Sequence, residues 1–290
     1  MTVEPRPDAP GQVETTSSAN ASWIAILNAR MRRVRFRSRL LRRPVVALRH
    51  RGLVSEDAFI VSYPRSGTTW LRFLLCESIA GESPAFGEVR RLVPSVGHQN
   101  ACPAILGSRG RLIQSHERHD IGMRKVVYIV RNPLNVVVSE YRWQQRIGVW
   151  HGPFASFFED FLKGRSNPWG GWDQHVNFWT DTPGARAGLL HVLKYEDLRA
   201  DPEGSLAGAL EFLEIDSNPA QVARAVAANS LEAMRRKEEN APPGAFAQMR
   251  NRDIRFVNRG SNTSWRDHLS PADVDRLETR FAGALGRAGY

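Results

Sequence analysis

The spacing of apolar positions divides the chain into short strand-like runs that alternate with helical stretches. Ala58-Phe59-Ile60-Val61-Ser62-Tyr63 is a near-continuous apolar run rich in β-branched and aromatic residues, which predicts a buried strand. Pro64 and Gly67 break it, and from Thr68 onward Trp70, Leu71, Leu74, Leu75 and Ile79 recur at helical spacing. Three further runs, Arg111–His116, Lys125–Val130 and Leu189–Lys194, predict strands. The middle one leaves into a helix over Leu134–Arg146, with Asn132 suited to its cap and Pro133 to its first turn. Aromatics crowd Phe154–Trp179, where two helices are expected on either side of a Gly164–Gly171 loop. More helices are expected at about 203–213, 219–228 and 230–237, and a last one after Ser270-Pro271. Strands that each pass through a loop into a helix predict an α/β protein.

The flanks have a different composition. Residues 1–22 are rich in Pro, Ser, Thr and Ala without periodicity, and a disordered tail is expected. Residues 23–51 place Trp23, Leu27, Met31, Val34, Leu41, Val45 and Leu48 on one helical face, and Pro44 is expected to end or kink that helix. This segment holds ten arginines and no acid; without them the 40 basic residues of the chain fall level with its 30 acidic ones. The net charge of +10 therefore belongs to one segment, and the balanced body gives no argument for nucleic acid. Such a helix suits an anionic membrane surface or an acidic partner, and equally suits packing on the body with solvated arginines. Residues 52–290 form the remaining domain. Within it, residues 83–110 hold Pro, Gly and His98 in a loose mixture, where loop with short helix is expected, and residues 235–264 are polar and irregular, where a long loop is expected.

Composition excludes some classes. No apolar run approaches about 20 residues, so no transmembrane helix is expected, and the N-terminus lacks the apolar core of a secretory signal. Cys76 and Cys102 are too few for a disulfide scaffold and have no metal-site spacing, which points to a reducing, cytoplasmic setting. No internal repeat, zinc spacing, dinucleotide-binding glycine pattern or Ser-His-Asp signature is present.

The candidate chemistry sits where strands end. A strand–tight loop–helix unit directs backbone N–H groups and the positive end of the helix dipole into one space, which suits phosphate or sulfate. Arg65 adds a charged donor fork, and Ser66, Thr68 and Thr69 add hydroxyls. The loop is shorter than G-x-x-x-x-G-K-[ST] and carries its cation before the glycine. The same residues would also serve an ordinary capped βα turn. His116 ends the second strand, where open α/β sheets bind ligands and where a histidine can take a proton; it could also be a hydrogen-bonded structural residue. Arg131 ends the third strand and lies near the first loop if the two strands are neighbours. Ser139 lies two turns into the next helix.

Tyr63-Pro64-Arg65-Ser66-Gly67-Thr68-Thr69-Trp70 resembles the 5′-phosphosulfate loop of sulfotransferases that use 3′-phosphoadenosine 5′-phosphosulfate (PAPS), with Arg65 in place of that family's Lys. Val130-Arg131-Asn132-Pro133 with Val138-Ser139-Glu140-Tyr141 resembles its 3′-phosphate motif, in which the Arg and Ser bind the phosphate. Trp172-Asp173-Gln174-His175-Val176 and Tyr195-Glu196-Asp197-Leu198 resemble two further family elements, the latter placing Tyr195 by the adenine. Asn258-Arg259-Gly260 stands where the family closes Arg-Lys-Gly over the 3′-phosphate, with Asn258 the weaker match. The resemblance covers roughly residues 55–270. It implies an α/β, P-loop-like three-layer fold, with a central parallel β-sheet flanked by helices.

By the same resemblance, His116 is the catalytic base and Arg65 a catalytic charge stabiliser. Arg65, Ser66, Gly67, Thr68, Thr69, Trp70, Arg131, Ser139, Tyr195, Asn258, Arg259 and Gly260 bind the donor. The implied activity is sulfo transfer from PAPS to a hydroxyl or amine of a small molecule (a phenol, an alcohol or a natural product), with no metal required and no nucleic acid. His175 reads as structural. Two other readings stay open at this point: a phosphotransferase of the nucleoside-kinase type, and a binding module working through its basic helix.

Overall fold

A computed structural model describes residues 39–81, 83–241, 246, 255–257 and 264–290. The tail 1–22 and most of the Arg-rich segment lie outside the described residues. What is described of that segment is helix α1, Arg39–Arg49, which runs through Pro44 instead of ending there. Family-like motifs fall in the unit formed by Val45–Tyr290.

Four strands form the sheet: β1 (Ala58–Val61), β2 (Leu112–Ser115), β3 (Val126–Val130) and β4 (Leu190–Lys194). They lie in the order β2-β1-β3-β4, and all pairs are parallel. Between them run α2 (Thr68–Ala80), α3 (Phe86–Leu92), α4 (Pro133–Arg146), α5 (Phe154–Leu162), α6 (Trp172–Thr180) and the single turn α7 (Pro183–Arg186). After β4 come α8 (Tyr195–Ala200), α9 (Pro202–Phe212), α10 (Pro219–Ala228), α11 (Leu231–Glu239) and α12 (Pro271–Ala288). The expected strands and helices are present within a residue or two. The segment 83–110 holds α3 and a 3-10 turn, and Tyr195–Ala200 is helical as well.

The period-2 geometry of strands explains the three layers. Phe59, Val61, Tyr128 and Val130 face one core, with Val136 and Val137 of α4, Phe157 and Phe161 of α5, Trp172 and Trp179 of α6, and Phe281 of α12. Ala58, Ile60, Val127 and Ile129 face the other, with Leu71 and Leu74 of α2, Leu206 and Leu210 of α9, and Val222 of α10. Both faces are covered, which is why β1 and β3 read as unbroken apolar runs, while β2 is buried throughout but ends in the polar pair Gln114-Ser115. The edge strand β4 is only half-buried.

The strand order also fixes where a ligand can lie. After β1 the chain packs α2 on one face; after β3 it packs α4 on the other. At such a switch point the two following loops part and leave a crevice at the carboxyl ends of adjacent strands.

Candidate functional site

The crevice is built first by the loop after β1. Arg65 has φ 69° and Gly67 φ 97°, two left-handed residues in a span of three. Such turns aim backbone N–H groups to one side. Gly67, not a threonine, is the cap residue of α2, and it makes no side-chain cap. It must be glycine for a second reason: a Cβ there would stand 2.4 Å from Cδ2 of Tyr195. Arg65 holds the same left-handed region with a side chain, at a cost of about 1–2 kcal/mol.

The loop after β3 meets the first one. Arg131 stacks its guanidinium 4.3 Å over the Tyr195 ring, and its Nη1 donates to the Arg65 carbonyl oxygen at 3.4 Å. Arg65 reaches the other way: its Nε donates to Ser139 Oγ at 3.3 Å, and its Cζ lies 4.9 Å from the Trp143 ring and 5.4 Å from that of Phe256. Asn132 caps α4 by accepting from the Leu134 N–H at 3.0 Å, which fixes the exit of Arg131. Burial and then the neighbouring Arg131 charge push the Arg65 guanidinium down to about 10, so it stays a cation at neutral pH. Burial likewise lowers Arg131. Two desolvated cations side by side favour an anion between them.

His116 follows β2 directly. Its Nδ1 lies 2.7 Å from the Ser62 carbonyl oxygen, which makes Nδ1 the protonated nitrogen and leaves the Nε2 lone pair free to accept. Ser62 Oγ stands 3.2 Å from the same nitrogen and bonds to Thr68 Oγ1, so the histidine and the first turn of α2 share one short network. Trp169 presents its edge at 5.5 Å between ring centroids. Burial is the main cause that lowers the imidazole to about 4; the Arg72 and Arg65 charges add to it, while the Ser62 bond and Glu117 oppose it.

A buried polar cluster supports these loops. Asn167 Nδ2 donates to Tyr63 Oη at 2.6 Å and to Glu140 Oε1 at 2.8 Å, and Tyr63 Oη donates to the Gly170 carbonyl at 3.2 Å. Burial raises the Glu140 carboxyl to about 7. His175, fully buried, bonds Tyr128 Oη at 2.9 Å and the His116 carbonyl at 3.3 Å, so the histidine read as structural holds the backbone of His116.

Arg65, Gly67, Thr68, Thr69, Trp70, His116, Arg131, Ser139 and Tyr195 all line one cleft of about 1800 Å³. Trp70 meets Tyr195 edge-on at 6.1 Å. Ser66 is fully buried, is not among the cleft's lining residues, and its hydroxyl has no partner among the described residues. Asn258, Arg259 and Gly260 lie outside the described residues. Ser62, Trp169, Asn167 and Glu140 were not singled out from the sequence. Ser62 and Glu140 flank the motif residues directly, which was the one signal available; the loop residues carried none.

Residues 55–289 match the sulfotransferase domain family model. Human sulfotransferase 2B1 is 28% identical over 246 residues, covering 78% of this chain and 65% of that protein, so the chain spans about two thirds of that relative. Mouse sulfotransferase 2A6 is 26% identical over 248 residues, with 78% and 83% covered. Among solved structures, that of the mouse sulfotransferase SULT7A1 complexed with PAP superposes with a TM-score of 0.62 at 24% identity, covering 82% of this chain and 88% of that one. The fold is that of sulfotransferases, and with the family model matched over nearly the whole described unit, the chain belongs to the sulfotransferase domain family.

Proposed function

We propose that the chain takes the sulfo group from PAPS and places it on a hydroxyl (or amine) of a small-molecule acceptor by in-line displacement. The carrying observation is that Arg65 and Arg131 meet across the β1/β3 crevice with His116 on the same cleft. Solved neighbours support the donor and the acceptor class: one is described with PAP, and a retinol dehydratase with retinol and PAP.

Bound in the crevice, PAPS would supply the sulfo group and depart as PAP. The loop amides, Arg65, Thr68 and Thr69 hold the phosphosulfate and neutralise the charge that grows on its leaving oxygen. One such donor contributes about 3 kcal/mol by analogy with oxyanion holes. Arg65 does this without giving up a proton, because it remains a cation well above neutral pH. Arg131 offers a planar fork to the 3′-phosphate. Ser139 Oγ accepts from Arg65 and so keeps its own O–H to donate to that phosphate. Trp70 and Tyr195 offer ring surface to the adenine; a phosphate-binding role for Asn258, Arg259 and Gly260 rests on the resemblance alone, with Asn258 the weaker match. His116 Nε2 takes the acceptor's proton as the oxygen attacks sulfur. A protein of the cytoplasm is the setting that fits this donor and the two lone cysteines.

The test is a melting-temperature titration with PAP, paired with release of PAP from PAPS in the presence of a phenol panel. A rise in melting temperature and acceptor-dependent PAP release are expected. No shift at millimolar PAP, or Mg²⁺-dependent turnover of ATP instead, overturns the reading.

A further inference from the structure

The half of the cleft beyond His116 is lined by hydrogen-bond donors. Gln114 lies on β2, two residues before His116, which follows that strand, and both line the cleft. Gln114 is 5% exposed; its Oε1 accepts from Ser95 Oγ at 2.8 Å, and its Nε2 has no partner while the residue lines the cleft. The segment that leaves α3 runs beside it: the Gln114 N–H donates to the Pro94 carbonyl at 2.8 Å. Arg72 of α2 donates to the carbonyls of Val89 and Val93, which bracket Arg90 and Arg91, and all three arginines line the cleft. Arg72 acts electrostatically on His116, and Arg90 on Arg72, so these charges belong to the histidine's side of the cleft. Among the described residues the whole lining holds nine arginines and one carboxylate, Asp267. A donor nucleotide brings about four negative charges, and Arg65 and Arg131 already serve it. Arg72, Arg90 and Arg91 lie outside that pair and line the same cleft as His116.

We propose that Gln114, Arg72, Arg90 and Arg91 form a subsite for an anionic group on the acceptor, so that the preferred acceptor is a hydroxyl compound bearing a carboxylate, sulfate or phosphate. This rests on the sulfotransferase reading and adds to it a substrate class distinct from neutral sterols. His116 Nε2 is the acceptor of the nucleophile's proton; Gln114 and the arginines donate hydrogen bonds to the anionic group and take no part in the transfer. A neutral apolar ring would instead bury Gln114 Nε2 with no partner, which is costly.

The experiment titrates the full chain, saturated with PAP, with 4-hydroxyphenylacetate and with 4-ethylphenol, which share a phenol and differ in the carboxylate. The carboxylated phenol is expected to bind about tenfold tighter at low salt, with the preference shrinking at 0.5 M salt as charges are screened. An R90A/R91A variant is expected to bring the two phenols within about twofold, with its PAP-induced melting shift as the control for folding. Equal or tighter binding of the neutral phenol, no binding of the carboxylated one, or an unchanged preference in R90A/R91A overturns the proposal. Absence of any PAP-induced shift in the unaltered chain would instead overturn the sulfotransferase reading, and is read separately.

Discussion

Gly67→Ala tests the geometry on which the donor crevice depends. Gly67 sits at φ 97° and ψ 6°, and a residue with a side chain holds that conformation at a cost of about 1–2 kcal/mol. The added methyl would also stand 2.4 Å from Cδ2 and 2.9 Å from Cε2 of Tyr195. Tyr195 has little room to yield. The Arg131 guanidinium lies over its ring, Trp70 abuts its edge, and it is 8% exposed. Overpacking of this kind costs typically about 1–3 kcal/mol, so the two effects together cost about 2–5 kcal/mol. For a domain of this size each kcal/mol lowers the melting temperature by about 2–4 °C, which gives a fall of roughly 4–20 °C by calorimetry. PAP affinity should fall as well, since any shift of Tyr195 moves Arg131. A double-mutant cycle separates the causes: Tyr195→Ala removes the ring, so the steric part, about 1–3 kcal/mol, should appear as coupling while the backbone part persists. A Gly67→Ala protein that melts within about 2 °C of the unaltered chain and binds PAP normally, or a cycle with no coupling, refutes the reasoning.

Further predictions concern the base, the cation, the buried carboxyl and the thiols. His116→Asn should lower kcat by about 10²–10⁴-fold while the PAP-induced melting shift persists; an active H116A or H116N enzyme removes the histidine from the chemistry. The imidazole's value of about 4 in the free protein lies below its ordinary 6.5, so the acid limb of kcat/KM should fall near 4. Bound donor anions beside Arg65 should raise the acid limb of kcat above that; a kcat/KM limb near 6.5 contradicts the burial argument. The sign for stability follows: the neutral histidine's contribution is complete above 6.5 and lost as pH falls toward about 4. Arg65→Lys should retain a charge but lose the Ser139 bond and the stacking on Trp143 and Phe256, weakening PAP binding about tenfold; unchanged affinity by calorimetry would show that charge alone suffices. Glu140 is raised from 4.5 to about 7, so the folded state holds its proton more tightly and stability should decline between those values as pH rises. Glu140→Gln should flatten that decline in urea melts. Burial pushes the Cys76 thiol up to about 12, so a disulfide reagent should modify one thiol, Cys102, in the native protein and two after unfolding.

Much of this molecule was legible in its sequence because the information is local. The runs that became β1 and β3 are continuous and apolar because both sheet faces are covered, and that pattern can be read from each strand by itself. The loop Pro64–Gly67 and the capped start of α4 depend on a few adjacent residues, so the strand–loop–helix turns that carry Arg65 and Arg131 could be read where they stand. Likewise the resemblance to the PAPS-dependent family needed only two short motifs and their order.

The strand order was settled only in three dimensions, and with it whether Arg65 and Arg131 meet. The direct pairing of β1 with β3, although β2 comes between them in the chain, goes with packing α2 and α4 on opposite faces, which no local pattern encodes. The same holds for Tyr195 lying against Gly67, for Asn167 joining Tyr63 to Glu140, and for Arg90 and Arg91 of α3 lining the same cleft as His116. Local chemistry determined what each strand end can do; long-range burial decided which ends share a cleft, because side chains far apart in the chain are brought into contact only when the two cores close on the sheet.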